Sequence, residues 1–183
     1  MTEDQIIAIE NMGQEFCDVI FWNDQQGANN AFRQFQTIFR AKITSPLMSS
    51  VLMKILRDAL SPRVLLFTAG MNIGILQDLV NEHGIPLNLC EQDLDASDIL
   101  GFSDDMSKLL KQYGFNYWEL GVSGDYCFIA RQQDKEQIQD LAYSLGFINF
   151  LCCPMSDDNQ DVSPVKSNWE VWLENSKAVR EQR

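Results

Sequence analysis

Two short stretches of this chain carry residue types whose spacing could support chemistry. The first is Ala69-Gly70-Met71-Asn72-Ile73-Gly74, placed between the apolar run Val64 to Thr68 and a helical pattern. Parts in that order let backbone N–H groups and a helix N-terminus hold a phosphate, with Gly70, Asn72 and Gly74 as the contact residues. The stretch lacks the Lys-Ser/Thr of a P-loop, and its two glycines stand four apart where a dinucleotide fingerprint needs three in G-x-G-x-x-G. An ordinary strand-to-helix turn, using glycine for its backbone freedom, accounts for the same residues without a ligand.

The second stretch, Glu91-Gln92-Asp93-Leu94-Asp95-Ala96-Ser97-Asp98, sets carboxylates at alternate positions, where Asp93 and Asp95 could converge on Mg²⁺ or Ca²⁺. As a twelve-residue calcium loop it begins well, with Asp93, Asp95 and Ser97 at positions one, three and five. It then fails, because Asp98 stands where glycine must make the turn and position twelve is the short Asp104. A solvated acidic loop is the competing reading.

Other candidates are thinner. His83 is the one histidine, and it lies just before Gly84 at the end of a helical pattern, where a partial positive charge suits the helix dipole better than catalysis. The five cysteines (Cys17, Cys90, Cys127, Cys152, Cys153) include no C-x-x-C spacing and are odd in number, so they read as reduced thiols of a cytosolic protein. Adjacent Cys152 and Cys153 could bridge only through a strained ring, and strand-end packing explains them better.

The elements that must position these residues follow from periodicity. Thr2 with Gln5 forms a capping box before Ile6, Ile9, Gly13, Phe16 and Ile20, which predicts an amphipathic helix to about Phe21. Asn23 to Gly27 ends it. Phe32, Phe35, Phe39 and Ile43 define a second helix, and Ser45-Pro46 opens a third through Leu47, Val51, Ile55 and Leu56. Five of the eleven phenylalanines, with Trp22, fall between Phe16 and Phe39 at helical spacing, so they read as core before they read as a groove for a partner helix.

Beyond residue 60 the period shortens. Arg63 to Thr68 reads as a strand, Ile75 to Val80 as a helix stopped by Gly84, and Ile85 to Cys90 as a second strand, which together predict a right-handed βαβ unit. A helix capped by Ser103 follows, then Phe115 to Val122 and Asp125 to Arg131 flanking Ser123-Gly124 as a β-hairpin. Asp134 caps a further helix, and Phe147 to Leu151 supplies a fifth strand. The last thirty residues read as a polar loop and a short helix that docks through Trp169 and Trp172. The expected fold is α+β: N-terminal helices packed on a mixed sheet of about five strands with one βαβ unit and one hairpin. One domain is expected over 1–183, divided into a helical segment at 1–60, a sheet region at 61–153 and a C-terminal loop and helix at 154–183.

Within this pattern, Gly124-Asp125-Tyr126-Cys127-Phe128-Ile129-Ala130, then Lys135 to Leu145 and Gly146-Phe147, resembles the strand, helix and Leu-Gly-Phe succession of small bacterial proteins grouped as a family of unknown function. The resemblance covers residues 110–150. It implies a bacterial cytosolic protein and carries over no catalytic residue.

Composition bounds the rest. With 183 residues, 45% hydrophobic and 22% charged, the chain has the material of a globular core. No apolar run approaches the ~18–20 residues of a membrane span, and the acidic start Met-Thr-Glu-Asp-Gln is unlike a signal peptide, so a cytoplasmic location is expected. The net charge of −12 argues against nucleic acid and anionic membranes as partners, because both would need a basic patch. Along the chain this charge is segregated: residues 1–32 hold six acids and no base, residues 33–63 six bases and one acid, and residues 64–107 eight acids and no base. Such a chain can orient on another protein or on its own copy, or it can pair these charges internally.

The functional expectation is therefore a non-enzymatic acidic cytosolic factor that binds another protein, as an immunity, inhibitor or regulatory protein does, with no cofactor. The alternative is a phosphate- or nucleotide-binding enzyme or sensor using Gly70, Asn72 and Gly74, with Asp93 and Asp95 on Mg²⁺. A homo-oligomer joined by its opposite charges is a third possibility.

Overall fold

The computed structural model describes residues 1–42, 49–61, 63–66, 73–90, 94, 99–120, 126–145 and 152–154. Helix α1 (Glu3–Ile20) starts where its sequence says it should: Thr2 Oγ1 accepts from Gln5 N at 3.4 Å, while Gln5 Oε1 accepts from Thr2 N at 2.6 Å. Helix α2 (Gln25–Lys42) follows after a tight turn, because Asp24, expected only to end α1, caps α2. Its Oδ1 accepts from Gly27 N at 2.9 Å, and its carbonyl from Ala28 N at 2.9 Å. Helix α3 (Ser49–Leu60) completes the N-terminal trio; the Ser45-Pro46 start lies outside the described residues.

At Gly13 α1 and α2 pack so closely that a Cβ there would overlap the Phe35 ring. Phe35 stacks on Phe39 at 5.5 Å between centroids, and Phe16 meets Phe128 edge-on at 6.5 Å. The phenylalanines expected in the core are there: Phe16, Phe21, Phe35 and Phe39 are buried and Phe32 packs against them, whereas Trp22 stays 36% exposed.

The sheet is antiparallel at every described pairing. Its order is β1 (Leu65–Leu66), β3 (Tyr126–Arg131), β2 (Phe115–Leu120), β4 (Cys152–Pro154), so the predicted hairpin β2–β3 forms its centre. Alternation along the hairpin divides two cores. Trp118, Phe128 and Ala130 face α1, α2, α3 and α6 (Lys135–Ser144), and Tyr117, Cys127 and Ile129 face α4 (Ile73–Glu82) and α5 (Ile99–Lys111). Trp118 and Phe128, paired in register, stack at 5.7 Å.

The α+β class holds, but the expected βαβ unit is not seen. Residues 85–90 are irregular rather than a strand, and no parallel pair occurs among the described residues. The physical reason is local: the Gln77 side chain donates to Leu87 O at 2.8 Å and accepts from Leu89 N at 2.7 Å, occupying backbone groups that a sheet ladder would use. Ile85 and Leu89 are still buried, so their apolar alternation served packing without pairing. Helix α5 begins at Ile99, which puts the expected cap Ser103 inside it. Four strands are described where about five were expected; residues 147–151 and the C-terminal helix with Trp169 and Trp172 lie outside the described residues.

Candidate functional site

Of the residues expected to contact a phosphate or a metal ion, only Gly74 is described: it is exposed in the first turn of α4, which follows β1 in the expected strand-to-helix order. Gly70, Asn72, Asp93 and Asp95 lie outside the described residues. Leu94, between the two aspartates, is buried. Among the described residues no group of three His, Cys, Asp or Glu is placed to hold a metal ion.

The polar centre of the fold lies elsewhere, where the turn after α1, the end of α3 and the end of α4 converge. Arg63 is its hub and is 5% exposed. Its Nη2 donates to Asn23 Oδ1 at 3.0 Å, its Nε lies 3.4 Å from Glu82 Oε2, and its guanidinium carbon sits 5.1 Å from the Phe21 ring centre. Asn23 in turn donates to the Glu82 carbonyl at 3.0 Å, tying the α1–α2 turn to the end of α4. Burial lowers the Arg63 pKa, with Glu82 and Asp24 opposing that effect, but a guanidinium stays charged at any ordinary pH.

His83 completes the cluster, and here the expectation of a positively charged helix cap is corrected. The ring is 1% exposed, and its pKa is pushed down to about 3 by burial first and by the Arg63 cation second, so the imidazole is neutral. Trp22 Nε1, which can only donate, lies 3.4 Å from Nδ1 and so makes that nitrogen an acceptor, while Arg63 Nη1 lies 3.2 Å from Nδ1 and 3.4 Å from Nε2. Phe115 flanks both rings, and Arg131, held by Asp134 at 2.6 and 3.0 Å, covers Trp22 at 5.0 Å. A neutral histidine with both donors in place is a packing and hydrogen-bonding group here.

Beside this cluster opens a cleft of about 430 Å³. Phe21, Ala31 and Ala59 give it an apolar floor, Asp24 and Glu82 carry its carboxylates, and Arg63 forms part of its wall. Gly27 lines it too, and a Cβ there would collide with the Asp24 carboxylate and the Phe21 ring. Sequence reading missed this use of Asp24, and it missed Arg63, Asn23 and Glu82 because the partners in the cluster are 19 to 61 residues apart along the chain. One signal was available: an aspartate three residues before a glycine at a helix start.

The segregated charges are partly paired internally. Arg40, from the basic segment, holds Glu10 of α1 through two bonds of 2.5 and 2.8 Å, and Arg63 reaches Glu82. Arg57 pairs with its neighbour Asp58 and lies over Tyr126, whose hydroxyl it contacts at 2.6 Å. Arg33, Lys42 and Lys54 form no ion pair among the described residues, nor do Asp4, Glu15 and Asp18 on the exposed face of α1. No helix among the described residues is long and apolar enough to cross a membrane. No protein-family model, curated protein or solved structure matches this chain, so the resemblance seen over residues 110–150 assigns no family.

Proposed function

We propose that this chain is a non-enzymatic protein-binding factor, of the immunity, inhibitor or regulatory kind, whose partner presents a basic surface. One observation carries the reading. Among the described residues, three of the six bases in residues 33–63 are drawn into internal pairs, while α1 keeps Asp4, Glu15 and Asp18 along one exposed face at helical spacing. Part of the negative charge of the −12 chain is thus displayed on a helix, where it can steer an oppositely charged protein.

The test is capture of cytosolic protein at low salt, followed by affinity measurement with the purified partner at two ionic strengths. A basic partner whose affinity falls with salt, and falls again in an Asp4→Lys, Glu15→Lys, Asp18→Lys variant, supports the reading. A partner bound equally by that variant, or at any salt concentration, refutes it. A second reading, a phosphate or nucleotide bound with Mg²⁺ at Gly70, Asn72, Gly74, Asp93 and Asp95, is favoured only by the strand-to-helix order around Gly74. A thermal-shift panel of nucleotides with and without Mg²⁺ decides it, since ligand at 100 Kd adds about 2.7 kcal/mol.

A further inference from the structure

We propose that the cleft between Asp24 and Glu82 holds one organic cation, a guanidinium or alkylammonium group. The sign of the ligand follows from which charges the cleft displays. Arg63 hides its charge: its side chain is 6% exposed, whereas that of Glu82 beside it is 44% exposed. Asp24 is exposed as well, with one carboxylate oxygen accepting from Gly27 N. Two carboxylates and one guanidinium leave one negative charge unbalanced, and a single cation balances it.

Size and lining agree. A volume of about 430 Å³ is at the lower end for ligand pockets, suited to one long side chain or a small amine. The Phe21 ring and the alanine floor can receive a methylene stem. Gln34 donates its amide N–H to the Asp58 carbonyl at 3.4 Å, which leaves its side-chain oxygen as an acceptor at the cleft. An anion would instead meet two carboxylates.

The inference rests on the protein-binding reading for one source of the cation, an Arg or Lys side chain of the partner; a free amine is the other source. The full ¹⁵N-labelled chain is titrated at low salt with agmatine, with N-acetyl-arginine methylamide and with inorganic phosphate. Expected are saturable shifts of the Gly27 and Asn30 amides with the two cations and none with phosphate. Affinity should drop roughly ten-fold in Glu82→Gln and in Asp24→Asn, as for the loss of one charge-assisted hydrogen bond. Asn caps a helix as well as Asp does, so the second variant keeps the fold. Tighter binding of the arginine amide points to a partner side chain, and tighter binding of agmatine to a free amine. Absence of saturable shifts, an equal response to phosphate, or affinities unchanged in both variants overturns the inference. If a basic protein is captured yet neither cation enters the cleft, this inference fails and the wider reading stands; cation binding without a captured protein does the reverse.

Discussion

At His83, burial and the adjacent Arg63 cation disfavour the imidazolium together, and the consequence for stability has a definite sign. The ring titrates near its ordinary 6.5 when unfolded and at about 3 when folded. Above pH 6.5 neither state takes up the proton and the stabilisation is complete. Between 6.5 and 3 the unfolded chain binds a proton that the native state refuses, so stability falls by about 1.4 kcal/mol per unit as pH drops. Denaturant titrations of the protein and of His83→Asn across this window should therefore converge as pH falls, since the variant lacks this loss; parallel profiles would contradict the buried neutral ring. The glycine that follows it makes a second residue-level demand. Gly84 has φ +67° and Gly114 φ +82°, so Gly84→Ala and Gly114→Ala should each cost about 1–2 kcal/mol in urea denaturation. The positions of both glycines as helix stops could be read from sequence. The burial of His83 could not, because it depends on Arg63 and Trp22 arriving from other elements.

Between elements, the α1–α2 contact decides between two opposed effects of a single methyl group. Gly13→Ala gains up to about 1 kcal/mol of helix propensity. It also drives a Cβ into the Phe35 ring, an overpacking cost of typically 1–3 kcal/mol. The net expectation is a loss of about 1 kcal/mol, measured as a lower urea midpoint at unchanged slope; a gain would show that the helices separate freely. The helices themselves were legible because each signal is local: the Thr2–Gln5 box, the phenylalanines at three- and four-residue spacing, the hairpin sequences either side of Ser123-Gly124. Ile85 to Cys90 misled for the converse reason. Alternation identifies an extended, half-buried chain, but whether its backbone joins a ladder was settled by Gln77, ten and twelve residues away, which bonds Leu87 and Leu89. The cleft was the least legible feature, since its carboxylates come from the α1–α2 turn and the end of α4, which Asn23 and Arg63 tie together.

For the molecule as a whole, a −12 chain with an acidic helix face that is unpaired among the described residues repels itself, and salt screens that repulsion. Raising ionic strength from about 0.01 to 0.15 M shortens the Debye length from roughly 30 to 8 Å, so the thermal midpoint should rise, and rise less in the α1 charge-reversal variant. A midpoint that falls with salt would mean that internal pairs such as Arg40–Glu10 outweigh the repulsion. The central hairpin has a further consequence, one of time rather than of place. Tyr117 and Trp118 are chain neighbours, as are Phe128 and Ile129, yet each pair divides its side chains between the two cores. Neither core can expose the hairpin amides while the other holds, so the backbone hydrogens of residues 117–118 and 127–130 leave only in the rarest opening. They should be the last to exchange with deuterated water, at rates set by global unfolding rather than by fraying.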